Sequence, residues 1–189
     1  LTVTNATGYR ASLMGSSNTI GNLSLSTLSG ITSGSSAAIG ITLSTGASAG
    51  SLDQTFTYTF ADDSSLSGAL TNIGTATINA KGTVYRPAIG TLERSGSTVV
   101  SGSTLSFGAV RLNDALTAFS LDVRNSAQSS DAFSEKLNAS VTSGNGAGSV
   151  SLLAAGSLQS NALSVNLTSG TTSSVGNKFE TINIGFQTD

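Results

Sequence analysis

The sequence holds ten Asp and Glu, eight Lys and Arg, and no His, Cys or Trp. Those absences remove most of enzyme chemistry at once. A Ser-His-Asp triad, a Cys-His pair, a disulfide and a thiolate zinc site are all excluded. A Ser-x-x-Lys nucleophile is excluded too, because Ile78, Phe133 and Val175 stand three positions before Lys81, Lys136 and Lys178. Carboxylates remain, and a pair of them can work as acid and base. Asp53, Asp114, Asp122, Asp131, Glu93, Glu135 and Glu180 mostly fall on outward strand positions or turns, where solvation accounts for them. Asp62 and Asp63 close the stretch FTYTFADD (56–63), and Asp189 closes INIGFQTD (182–189). Acids at strand ends can supply oxygen ligands to Ca²⁺, so Asp62, Asp63 and Asp189 are the candidate ligands. A D-x-D-x-D loop is missing, and Ser64 and Ser65 equally suit a side-chain-capped turn. No other cofactor is implied.

Other motifs have plain readings beside the chemical one. GNGAGS (144–149) imitates a phosphate loop, but no helical pattern follows to supply the dipole, so a hairpin turn is expected. Four N-x-S/T sequons occur, at Asn5, Asn22, Asn138 and Asn166. With 13 Asn, 35 Ser and 25 Thr in the chain, chance supplies about that many, so they do not argue for glycosylation. Tyr9, Tyr85 and Arg86 could form a sugar-stacking platform, although Tyr85 is better read as packing at a joint. A net charge of −2 without a basic cluster argues against nucleic acid. No apolar run approaches the ~20 residues of a membrane span.

The elements that must carry these residues follow a period of two. TFTYTF (55–60) sets Phe56, Tyr58 and Phe60 on one face and Thr on the other. FSLDVRN (119–125), FSEKLNASV (133–141), ALSVNLT (162–168) and INAKGTV (78–84) alternate likewise, with Glu135 breaking one face. TSGSS (32–36), SGNGAG (143–148) and TSGTTSS (168–174) punctuate them. Many short alternating strands between Gly/Ser turns predict an antiparallel β-sandwich or barrel. The charged fraction of 10% lies far below the usual ~25%, while the hydrophobic fraction of 38% is regularly spaced. That combination describes a thin aliphatic core under hydroxyl-rich faces, not a disordered chain.

The chain also repeats itself. LTVTN (1–5) matches LDVRN (121–125), AIGITLSTG (38–46) matches ALSVNLTSG (162–170), and FTYTFADD matches INIGFQTD. The order is kept while the offset drifts through 120, 124 and 126 residues. Two copies are expected, 1–88 and 89–189. The first is expected to lack early strands, those equivalent to SGSTLSFGAV (101–110). The second is expected to lack the closing strand equivalent to TATINAKGTVY (75–85). LTVTN opening in mid-strand fits a window on a longer periodic polypeptide, or a sheet completed by neighbouring chains as in donor-strand complementation. Tyr85, Arg86 and Pro87 mark the joint, where the single proline favours a short extended connection.

TLSFGAVRLNDALTAFSLDVRNSA (104–127), DAFSEKLNASV (131–141) and GTVYRPA (82–88) resemble the choice-of-anchor D repeats of bacterial surface proteins. That group is similar to the wider Ig-like class with the Hydin and major-sperm-protein-type sandwiches. The shared pattern is Phe107-Gly108, then a hydrophobic strand ending in Asn: Leu121, Val123, Asn125, and in the first copy Leu1, Val3, Asn5. Asn113 stands where the family usually has Gly. The resemblance implies all-β tandem Ig-like sandwiches of about seven strands, on large secreted or surface-anchored proteins, and carries no active-site residue. The expected function is therefore a non-enzymatic extracellular repeat in a bacterial stalk, filament or matrix layer. Its partners would be neighbouring repeats or identical chains, met through edge strands. The competing expectation is an adhesin module that holds a glycan or host protein in its loops.

Overall fold

The computed structural model describes residues 1–8, 10–44, 46–94, 96–100, 102–168 and 171–189. The protein is all-β, and every pairing between named strands is antiparallel. Among the described residues the only helix is a 3₁₀ turn, Thr171–Ser173. The chain forms two compact units, Leu1–Val84 and Tyr85–Asp189.

Unit 1 contains β1 (Thr2–Thr4), β2 (Leu13–Ser16), β3 (Leu23–Leu25), β4 (Leu28–Ile31), β5 (Ser36–Ala38), β6 (Ile41–Leu43), β7 (Gly50–Asp62) and β8 (Gly74–Val84). The strands form a four-stranded sheet, β4-β2-β7-β8, and the pairs β1-β5 and β3-β6. Alternation in β7 and β8 sends Phe56, Tyr58 and Ala80 into a core completed by Leu23, Leu25, Leu28, Ile31 and Ile39. Full burial of each large side chain contributes about 1.5–3 kcal/mol. The Thr residues of β7 take the opposite face, as the pleat requires. The Tyr58 hydroxyl lies 2.9 Å from the carbonyl oxygens of both Gly15 and Ser26, so its one proton is shared between them. Burial, the largest influence, raises the Tyr58 pKa above its ordinary value.

Unit 2 contains β9 (Gly90–Arg94), β10 (Ser97–Val99), β11 (Phe119–Asn125), β12 (Leu137–Ser143), β13 (Gly146–Ala147), β14 (Ser149–Leu153), β15 (Leu158–Val165) and β16 (Asn183–Thr188). The sheets are β10-β9-β11-β15-β13 and β14-β12-β16, and their inward residues, Leu121, Val123, Leu137, Ala139, Val150, Leu153, Leu163 and Val165, form a second core.

The two units repeat one hydrogen-bond scheme. Its hub is a buried asparagine, where a polar side chain must be paired or costs stability. Asn5 donates through Nδ2 to the carbonyls of Ala11 (2.9 Å) and Ile31 (2.8 Å). Asn125 donates to those of Glu135 (3.1 Å) and Leu153 (3.0 Å). Around each hub the backbone closes the same turn. Asn5 N reaches Ser35 O and Gly34 N reaches Asn5 O; Asn125 N reaches Ser157 O and Gly156 N reaches Asn125 O. Gly34 and Gly156 have φ of 77° and 75°. The registers agree as well. Leu13 faces Ile31 and Asp62, while Leu137 faces Leu153 and Thr188. Both ladders slip at the same place, between Leu13 and Gly15 and between Leu137 and Ala139.

Three expectations are corrected. SGSTLSFGAV (101–110) does not form a strand: residues 102–118 form none, Ser101 lies outside the described residues, and the early strands are β9 and β10. A strand needs a neighbour to take its N–H and C=O groups, and among the described residues 102–118 pairs with no strand. FSEKLNASV becomes strand only from Leu137, because Phe133 and Glu135 exchange hydrogen bonds with Arg86 instead (2.8 and 3.0 Å). ALSVNLT stops at Val165, where Asn166 turns its side chain back to accept from the Leu167 N–H at 2.9 Å.

Candidate functional site

The acids singled out in the sequence are occupied with backbone. Asp63 accepts the Ser65 N–H at 3.0 Å, which holds its carboxyl below the ordinary range. Asp62 accepts from Leu70 N at 3.3 Å. Asp189 accepts from Lys136 N at 2.7 Å, tying the end of β16 to the start of β12. Asp63 and Asp189 hold matching places: Asp63 N reaches Ser12 O and Asp189 N reaches Lys136 O, both at 3.1 Å. Among the described residues no three His, Cys, Asp or Glu come together. Ca²⁺ generally needs six to eight oxygens, and these turn-capping carboxylates do not converge into such a set.

Tyr85, Arg86 and Pro87 belong to unit 2 by position. Arg86 bridges to Ser134 in a short parallel contact, and its Nη1 lies 2.8 and 2.9 Å from the two Asp131 carboxylate oxygens. That bond, helped by the Phe133 N–H, holds the Asp131 carboxyl below its usual range. Tyr85 is about half exposed, at 53%, with its ring 6.4 Å from that of Phe133. Pro87 is exposed. Arg86 is thus engaged rather than free to face a sugar, and Tyr9 lies outside the described residues. The GNGAGS segment is the turn joining β12, β13 and β14, as its sequence suggests. A Cβ on Gly148 would lie 2.4 Å from the Ala162 carbonyl oxygen, so the glycine is needed for close strand approach. The sequon asparagine Asn5 is buried, with its amide nitrogen committed to two carbonyls.

The feature that sequence reasoning missed is a groove of about 1230 Å³ in unit 2, lined by apolar and polar side chains alike. Its lining includes Leu105, Phe107 and Val110, from the stretch without strands, and Phe179, Ile182 and Ile184. Phe107 stacks on Phe119 at 4.4 Å, and the Arg94 guanidinium sits 4.0 Å from the centre of the Phe119 ring. Phe179 is 88% exposed and Phe186 is 38% exposed. The sequence did carry a partial signal for it: the match between FTYTFADD and INIGFQTD, which sets Ile182 and Ile184 in the places of Phe56 and Tyr58. No family model, no curated protein and no solved structure matches this chain.

Proposed function

We propose that the chain is a non-enzymatic structural piece of an extracellular bacterial surface protein, built from Ig-like repeats and serving in a stalk, filament or matrix layer. The observation that carries this reading is the single hydrogen-bond scheme built twice, around Asn5 and Asn125. The asparagine hubs that the two copies share are buried and hold backbone in place, which is a scaffold role. A repeated unit that gains from its neighbours is the physical basis of extended arrays. The resemblance of 104–127 and 131–141 to choice-of-anchor D repeats supports the surface location. Faces rich in Ser and Thr and poor in charge suit lateral contact between chains, because little ion desolvation is required.

Antibodies raised against residues 1–189 and applied to intact cells of the source bacterium test this. Labelling of unbroken cells, removable by external protease, is the expected result. Antigen found only after lysis would overturn the surface assignment. A glycan array adds the decision against an adhesin: saturable binding lost on mutation of Tyr85 would replace the scaffold reading with a binding one.

A further inference from the structure

We infer that the groove of unit 2 is an acceptor site for an additional β-strand, one with the residue pattern of β8. In unit 1, β8 covers the outer edge of β7 over a continuous register, from Gly50 opposite Val84 to Phe60 opposite Gly74. It brings Ala80 into the core and packs Ile78 against it. The corresponding stretch of unit 2 is fixed by the ladders: Gly15 faces Phe60 as Ala139 faces Phe186, and Leu13 faces Asp62 as Leu137 faces Thr188. Stepping back along the chain from these pairs, Ile184, Ile182 and Gly176 hold the places of Tyr58, Phe56 and Gly50. Both glycines have positive φ, 119° at Gly176 and 146° at Gly50.

The two stretches differ in what covers them. β7 runs from Gly50 to Asp62, whereas β16 begins only at Asn183, and residues 177–182 form no ladder. Phe56 and Tyr58 are wholly buried, at 0%, but their counterparts Ile182 and Ile184 are only partly buried. β16 lies at the end of its sheet, and its Ile184 and Phe186 line the groove together with Phe107 and Val110. An uncovered strand edge beside unfilled volume, with partly buried aliphatic side chains facing it, is the arrangement that strand addition completes.

The occupant has a defined chemistry. Placed in β8's register, it sets a glycine opposite Phe186, a small residue opposite Ile184 and a branched aliphatic residue opposite Ile182, as Gly74, Ala76 and Ile78 stand opposite Phe60, Tyr58 and Phe56. Its intervening residues face outward and are Thr or Asn in β8. On its arrival, residues 177–182 gain the ladder that 50–56 already have. This reading of the groove rests on the scaffold reading only in treating the units as copies, and is independent of where the protein resides.

The probe is a fluorescent peptide of residues 72–86, NIGTATINAKGTVYR, titrated into the full chain. Saturable one-to-one binding is expected, with amide exchange at 177–186 slowed by about tenfold or more. A peptide carrying Ile78→Asp should bind about tenfold more weakly or worse, since it would place a charge opposite Ile182. The acceptor site is overturned if the peptide fails to bind, if Ile78→Asp binds equally well, or if protection appears only in unit 1. Concentration-dependent dimers that protect 177–186 without peptide would instead name a second copy as the occupant and overturn the β8-type strand. Peptide binding with no cell-surface labelling keeps this site and removes the extracellular reading; labelling without peptide binding does the reverse.

Discussion

At the scale of single residues, the two asparagines do most to specify the fold. Asn125 is wholly buried; besides its two donated bonds, its Oδ1 accepts from the backbone N–H groups of Ile89 and Ala127, both at 3.2 Å. Asn125→Asp keeps the shape and the acceptor but loses the donor and adds charge. It should destabilise unit 2 at neutral pH by about 3 kcal/mol or more, and at least as much as Asn125→Ala, because leaving buried carbonyls unpaired carries a large penalty. Urea titration of both variants checks the order. Gly15 gives a second prediction. A Cβ there would come within 2.5 Å of the Tyr58 ring, so Gly15→Ala should cost about 1–3 kcal/mol by overpacking. Unit 2 holds Ala139 and Ile184 in the places of Gly15 and Tyr58, so adding Tyr58→Ile should recover part of the Gly15→Ala loss in a double-mutant cycle. The Asn ending each hydrophobic strand was visible in the sequence as a motif. Its hydrogen-bonding role was not, because its acceptors, the carbonyls of Glu135 and Leu153, come from other parts of the chain.

Elements were legible wherever alternation was strict and a ladder was available. TFTYTF, FSLDVRN and INAKGTV became strands with the expected faces inward. The failure at 101–110 has the opposite cause: a pattern that can form a strand does not do so without a neighbour. The same reasoning explains why β7 is long and β16 short. It predicts that amides of 50–56 exchange far more slowly than those of 176–182 in the free protein, readable by mass spectrometry, although the two stretches hold corresponding places. Equal rates in the two would contradict the account of the open edge. Position 152 adds a finer difference. Leu152 has φ of 54° where the matching Gly30 has 67°, and an L-residue other than Gly, Asn or Asp is disfavoured there. Leu152→Gly should therefore be neutral or mildly stabilising, within about 1 kcal/mol, in thermal melts.

For the whole molecule, composition sets the response to pH. With no His, nothing among the ordinary side chains titrates between about pH 5 and 8, and stability should be flat there. Acid is different. Glu93 is held low by its Arg124 hydrogen bond, Asp131 by Arg86, and Glu180 by the Thr168 hydroxyl. Carboxyls depressed in the folded state contribute stability that is complete above their unfolded values near 4, and that contribution is lost as pH falls through the folded ones. All three belong to unit 2, so its melting temperature should fall more steeply below about pH 4. Arg86→Gln should remove part of that dependence. The internal repeat was readable because three short matches kept their order. The groove was not, because its lining comes from stretches far apart in the chain, within 90–121 and 165–186.

Tyr58 gives the protein a built-in optical marker. With no tryptophan in the chain, ultraviolet absorption above the peptide bands comes mainly from three phenols, and this one is sealed in the first core. Its ring should stay un-ionised in alkali after a solvated phenol has turned to phenolate. The absorbance step at its own ionisation would then time the opening of unit 1, without any label attached.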